Sequence, residues 1–283
     1  MFLVDFLKTL LYGVVEGITE WLPVSSTGHL ILLENWLPLA QGDAFFSLFL
    51  VIIQFGAILA VVFTFFSELW PFAKAGSDHA IGRGILTVDR NKADLWAKIL
   101  VACVPAAVIG LLLDNWIEAN LYHHVTVAVM LIVVGIIFIV VERRNADRRP
   151  TVLRIAGITY RHAVIIGLFQ VVAAVLPGTS RSGATILGGI LIGLSRPVAA
   201  KFTFFLAVPV MLGASLLRMY KVGLAFSLEQ WALLLLGTVT AFVVSMFAIR
   251  FLLSFVRRRN FIPFAWYRIA LGLIVLAVYF ISR

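Results

Sequence analysis

Charge is scarce in this sequence. Asp, Glu, Lys and Arg together make up 13% of the 283 residues, about half their share in a soluble globular domain. Cysteine is scarcer still: Cys103 stands alone, which excludes an intramolecular disulfide and any cysteine-based metal cluster. No G-x-x-x-x-G-K-S/T phosphate loop, G-x-G-x-x-G turn or H-E-x-x-H helix occurs. The segment Met1–Leu11 lacks the basic start and small-residue cleavage site of a secretory signal. What fills the chain is apolar, 62% of all residues. The net charge of +9 is not a nucleic-acid signal, because the basic residues cluster in short loops between apolar runs. The partner this composition predicts is a lipid bilayer, with no nucleic acid.

Predominantly apolar spans cover roughly Phe45–Phe66, Trp96–Leu113, Val125–Val141, Phe202–Leu217, Trp231–Leu253 and Phe261–Ile281. Lengths near the ~20 residues that cross a bilayer predict six transmembrane helices. Two further apolar regions are broken by polar residues, Leu10–Leu33 and Ala163–Leu194. Pro, Gly and hydroxyl residues in mid-span predict helix, break, helix, and both regions are read as re-entrant hairpins. The expected fold is an all-α polytopic membrane protein. Glu142–His162 carries Arg143, Arg144, Arg148, Arg149, Arg154 and Arg161 against two acids, and Arg257, Arg258 and Arg259 follow later. Placing both clusters in the cytoplasm puts Ser67–Leu95 inside and Asp114–His124 outside, with both termini in the periplasm. Arg218 and Lys221 then sit on the wrong side. On this scheme the first hairpin enters from outside and the second from the cytoplasm, an inverted repeat. A shift of 154 residues lays Gly13 on Gly167, Glu16 on Gln170, Leu22 on Leu176, Pro23 on Pro177 and Ser25-Ser26 on Thr179-Ser180. The halves, about 1–145 and 155–283, form one membrane domain with a site where the broken spans meet.

Ionisable residues at membrane depth are expensive and default to function. Glu16 and Glu20, four apart, share a helix face. Two buried carboxylates must share a proton or hold a cation, and hard oxygen ligands suit Mg²⁺ or Ca²⁺. Ser25, Ser26 and Thr27 follow Pro23, where a hydroxyl can cap a new helix. His29 comes three residues after Ser26, which suggests a serine with a neighbouring base. In the second break, Arg181 is the sole charged residue between His162 and Arg196. Flanked by Thr179, Ser180 and Ser182 at a helix start, it makes an anion site suited to phosphate. Its alternative is an ion pair with Glu16 or Glu20. The inventory fits phosphoryl transfer. Transport of an anion or lipid phosphate is the rival, since inverted repeats also build transporters. His123-His124 is read as interfacial and His79–Lys98, alternating in sign, as a solvated face.

The strings Glu16-Gly17-Ile18-Thr19-Glu20, Leu22-Pro23, Ser25-Ser26-Thr27-Gly28-His29 and Pro177-Gly178, Ser180-Arg181-Ser182-Gly183-Ala184 resemble the two signatures of the undecaprenyl pyrophosphate phosphatases of the bacitracin-resistance type. The resemblance covers essentially the whole chain. It implies a bacterial inner-membrane enzyme, dependent on a divalent cation, that removes the terminal phosphate of a polyprenyl pyrophosphate lipid and recycles the cell-wall lipid carrier. It also implies roles: Glu16 and Glu20 as acids or metal ligands, Ser26 as nucleophile, His29 as acid or base, Ser180 and Arg181 as phosphate ligands. Gln54 resembles a further family string and is expected to line the site. Ser25 and Thr27 join Thr179 and Ser182 as expected phosphate-binding hydroxyls. A turnover site facing the periplasm and a homodimer complete the expectations.

Overall fold

The structure is a computed structural model that describes residues 2–73, 80–81, 87–223 and 225–281. Eleven helices account for most of these. In chain order they are α1 (Phe2–Thr19), α2 (Ser26–Trp36), α3 (Asp43–Thr64), the single turn α4 (Phe66–Leu69), α5 (Arg90–Asn120), α6 (His124–Arg144), α7 (Tyr160–Val175), α8 (Arg181–Leu191), α9 (Arg196–Val222), α10 (Leu228–Val256) and α11 (Ile262–Ile281). Six of them, α3, α5, α6, α9, α10 and α11, are long and apolar enough to cross a membrane. Each coincides with one expected span: α5, α6, α9 and α10 run past both its ends, while α3 stops two residues short of Phe66 and α11 starts one residue after Phe261. Polar caps explain the surplus. Asp89 accepts from the amides of Asn91 and Lys92 at the start of α5, and Ser227 and Gln230 form a reciprocal capping box on α10. Helix therefore begins before the hydropathy does.

One expectation needs correction. Residues 72–89 are not wholly loop or helix: β1 (Phe72–Ala73), β2 (Ala80–Ile81) and β3 (Thr87–Asp89) pair antiparallel in the order β1-β3-β2. Strands this short carry no readable alternation. Of the stretch read as a solvated face, residues 79 and 82–86 lie outside the described residues, while Asp94 and Lys98 pair within α5.

Small residues let the long helices approach closely. A Cβ at Gly17 of α1 would sit 2.8 Å from the Ala241 carbonyl oxygen of α10, and one at Gly167 of α7 would sit 2.5 Å from that of Ala102 in α5. So α1 packs on α10 as α7 packs on α5. At one end of the bundle the wholly buried side of Glu142 accepts from Arg196 Nε and from the Phe261 amide at 3.0 Å each, which gathers the ends of α6, α9 and α11.

The broken regions have their own geometry. The Thr151 amide donates to Gly193 O at 2.9 Å and the Ser195 amide to Val152 O at 2.9 Å. Residues entering α7 and leaving α8 therefore lie together. Asp5 near the start of α1 accepts from Gln41 beyond α2 at 2.9 Å, and Lys8 donates to Pro38 O at 2.5 Å. Both broken regions are thus hairpins with their ends side by side. Their second arms, α2 and α8, are 11 residues each, about 16 Å long, or about half the thickness of a bilayer's hydrocarbon. Trp21, wholly buried, packs edge-on against Phe204 of α9 at 5.3 Å and seats the first break in the core.

Candidate functional site

The two breaks face each other. Residues 20–25 separate α1 from α2, and residues 176–180 separate α7 from α8. Each break ends on a serine with a left-handed backbone, Ser25 at φ 72° and Ser180 at φ 69°; among the described residues no other non-glycine has positive φ. An L-residue is strained there. The strain buys a sharp reversal and exposes the first amides of the following helix. The matching serines lie 155 positions apart, one more than the shift read from sequence. Between its proline and its serine the second break has two residues, Gly178 and Thr179, where the first has one, Val24. Gly178 takes φ 89°, and a Cβ there would stand 2.5 Å from Val127 O, so only glycine fits.

Glu20 joins the two breaks. Its Oε2 accepts from Ser26 Oγ at 2.9 Å, and its Oε1 pairs with Arg181 Nη2 at 2.9 Å. Arg181 Nη1 also donates to Thr203 O of α9 at 3.2 Å. Of the two expected readings for Arg181, the ion pair with a glutamate is the one this structure displays. Glu16, one turn before Glu20, is wholly buried, and neither of its oxygens has a hydrogen-bond partner. Its electrostatic neighbours are Glu20 and Arg181.

The surrounding hydroxyls divide. Ser182 Oγ donates to Leu22 O across the breaks at 3.2 Å and lies 3.1 Å from Ser180 Oγ, while Ser180 Oγ caps α8 by accepting from the Gly183 amide at 3.1 Å. These two are occupied in holding the breaks together. Ser25 and Thr179 are buried with hydroxyls that have no partner, and Thr27 is half-buried in the first turn of α2. Gln54 is half-buried in α3, and among the described residues it makes no hydrogen bond to either break.

The expected pairing of Ser26 with His29 is not what the structure shows. His29 Nδ1 lies 2.8 Å from Ser25 O and Nε2 lies 2.7 Å from Tyr267 Oη, so both ring nitrogens are engaged elsewhere. Three residues of helix do put the two side chains on one side, but the imidazole folds back to the carbonyl one turn earlier. Ser26 turns instead to Glu20. His123 caps α6 through the Thr126 amide, and His124 stacks on Tyr279.

Sequence reasoning missed Arg268. It lies wholly buried in α11 and donates from Nη1 to Pro23 O at 3.1 Å, and from Nη2 to Gly178 O at 3.0 Å and Thr179 O at 2.8 Å. One guanidinium thus ties both breaks. The signal was available: it is an arginine in mid-span, between Phe261 and Ile281, and intramembrane charge defaults to function. Thr203 and Thr185, which bond each other at 2.9 Å beneath Arg181, carried no such signal.

Glu16 and Glu20 are also the residues that fit a divalent cation. A wholly buried carboxylate against a second one suits either a cation or a proton shared with Glu20. Among the described residues no group of three or more His, Cys, Asp or Glu side chains gathers. Two carboxylates fit the Mg²⁺ pattern, in which phosphate and water complete the shell.

A family model described as bacitracin resistance protein BacA matches residues 9–274. Relatives similar to this chain include an undecaprenyl-diphosphatase of Desulfitobacterium hafniense, 51% identical over 100% of this chain and 99% of its own. Another, named undecaprenyl-diphosphatase 1, is from Clostridium acetobutylicum, 48% identical over 98% of each chain. A third undecaprenyl-diphosphatase, from Enterococcus faecalis, is 46% identical over 97% of each.

Proposed function

From the premise that this chain belongs to the bacitracin resistance protein BacA family, we propose how its site works as an undecaprenyl-diphosphatase. It is a multi-pass membrane protein that hydrolyses undecaprenyl diphosphate to undecaprenyl phosphate and inorganic phosphate. The observation that carries the chemistry is Glu20, which holds Ser26 and Arg181 on its two oxygens. Ser26 Oγ gives its proton to Glu20 and attacks the terminal phosphorus, and undecaprenyl phosphate leaves. Arg181 exchanges its carboxylate partner for the phosphate oxygens. Water then cleaves the phosphoseryl bond, Glu20 returns the proton to Ser26, and phosphate departs. The unpartnered hydroxyls of Ser25 and Thr179 supply further donors to the phosphate. A divalent cation, held by Glu16 with Glu20, would supply charge neutralisation.

The hairpins are read as re-entrant and opposed. Residues flanking the second hairpin meet at Ser195, the N-cap residue at the start of α9. Residues flanking the first meet Glu229 and Gln230 at the start of α10. The 27 residues of α9 join those regions and span about 40 Å, so the hairpins enter from opposite ends. The half-bilayer length of α2 and α8 supports breaks at mid-depth and an inverted repeat. The basic residues 143–161 mark the second entrance as cytoplasmic, which turns the first toward the periplasm of a bacterial inner membrane. Transport finds no support in the relatives' names, and a transporter has no use for a serine hydroxyl set on a carboxylate.

The test is phosphate release from undecaprenyl diphosphate by purified protein in detergent. Wild type is expected to turn over, and Ser26→Ala to lose at least about a hundredfold in kcat. Near-wild-type turnover by that variant would remove Ser26 as nucleophile.

A further inference from the structure

Tyr267 lies outside every motif of the sequence, and the reaction above does not use it. Its hydroxyl nonetheless stands 2.7 Å from Nε2 of His29, and the two rings are nearly parallel, 11° apart with centroids at 5.6 Å. The other ring nitrogen, Nδ1, is 2.8 Å from the Ser25 carbonyl oxygen. A carbonyl only accepts, so Nδ1 carries the proton and donates. In the neutral ring Nε2 is then the acceptor, and the Tyr267 hydroxyl donates to it.

His29 is therefore strung between two fixed points. One is the carbonyl of Ser25, the residue whose left-handed backbone turns the chain immediately before Ser26. The other is α11. That helix is already the anchor of the breaks: Arg268, next to Tyr267, donates to the carbonyls of Pro23, Gly178 and Thr179. Successive helical residues are turned about 100° from each other. Arg268 faces the buried breaks while Tyr267, half exposed, faces His29. Two consecutive side chains of α11 thus hold the first break at Pro23 and, through His29, at Ser25.

We propose that Tyr267 is a positioning residue for the phosphatase reaction: through His29 it fixes the strained turn at Ser25 and so aims Ser26. His29 in this role is a strut, and the proton of Ser26 goes to Glu20. The inference rests on the phosphatase reading for its kinetic consequence, and on geometry alone for the His29–Tyr267 link.

Tyr267→Phe keeps the ring and removes the hydroxyl. Its kcat is expected to fall about tenfold, as small misplacements of reacting groups do, with KM within about twofold of wild type. His29→Gln breaks the same strut, so the double variant should be no slower than the slower single one. Nitrogen-15 spectra give a readout independent of turnover. The His29 signals, identified by their loss in His29→Gln, should show Nδ1 protonated, and Tyr267→Phe should move Nε2 while leaving Nδ1 protonated. Losses that multiply in the double variant, an unchanged kcat in Tyr267→Phe, or an unmoved Nε2 signal would each overturn the proposal. If wild-type protein releases no phosphate, the phosphatase reading fails, and the spectra still decide the link.

Discussion

At the scale of single residues, the site is a small set of side chains held by one buried guanidinium. Arg268 supplies the hydrogen bonds for three carbonyls in two breaks that otherwise have no regular structure. Removing it leaves those acceptors buried and unmatched, at about 1–3 kcal/mol for each group left unsatisfied. Arg268→Ala is therefore expected to lower stability by about 3 kcal/mol or more, read as a lower thermal midpoint in detergent, and to abolish turnover. Arg268→Lys restores charge without the planar fork, and one ammonium does not span carbonyls from both breaks. It should melt between alanine and wild type while remaining nearly inactive. A lysine variant as active as wild type would show that charge, not the fork, is what the breaks require. The residues that sequence made legible here, Glu16, Glu20, Ser26 and Arg181, were so because each is a polar exception in an apolar run. Their partners were not. The bonds of Arg268 to Pro23 and of Tyr267 to His29 join residues 245 and 238 positions apart. No local spacing encodes contacts of that range, and the three-residue spacing by itself assigns His29 to Ser26.

At the scale of elements, the breaks are alike in form and unlike in support. Both place a serine in the left-handed region before an 11-residue helix. Ser180 offsets its strain by accepting from the Gly183 amide, whereas Ser25 makes no side-chain cap. Glycine at either position relieves a backbone strain of about 1 kcal/mol or more. The relief at Ser180 is set against a lost cap and a lost contact with Ser182. Ser25→Gly should therefore raise the thermal midpoint more than Ser180→Gly does. Valine at either position, β-branched and strained, should lower it. Equal shifts for the two glycine variants would mean that the cap on α8 contributes nothing. Pro23 and Pro177 announced the breaks in the sequence. The one-residue difference between them did not show, because it is absorbed at Gly178, where the backbone rather than any side chain changes.

At the scale of the whole molecule, the proposed re-entrant arrangement makes access of the lipid diphosphate depend on which face of the membrane the first hairpin opens to. The six helices long and apolar enough to cross were legible from hydropathy, since apolar length is what a bilayer requires of a helix. The pairing of α1 with α10 and of α7 with α5 was not, because it rests on small residues meeting backbone across the fold. Orientation comes from charge. Placing the arginines of residues 143–161 in the cytoplasm carries Asn120, the last residue of α5 just before the other end of α6, to the periplasm. Cys103 is the single cysteine of the chain, so a Cys103→Ser background allows one reporter thiol at a time. Asn120→Cys in that background should react in intact cells with a maleimide that does not cross the inner membrane. Arg149→Cys, in the exposed basic segment, should react only after the cells are opened. The reverse pattern would invert the molecule and move the entrance flanked by Asp5 and Gln41 to the cytoplasm. Labelling of both sites in intact cells would mean that chains insert in both senses. The expected pattern puts Glu20 and Ser26, carried on the first hairpin, within reach of lipid diphosphate from the outer leaflet, and leaves Arg181 to arrive from the opposite side.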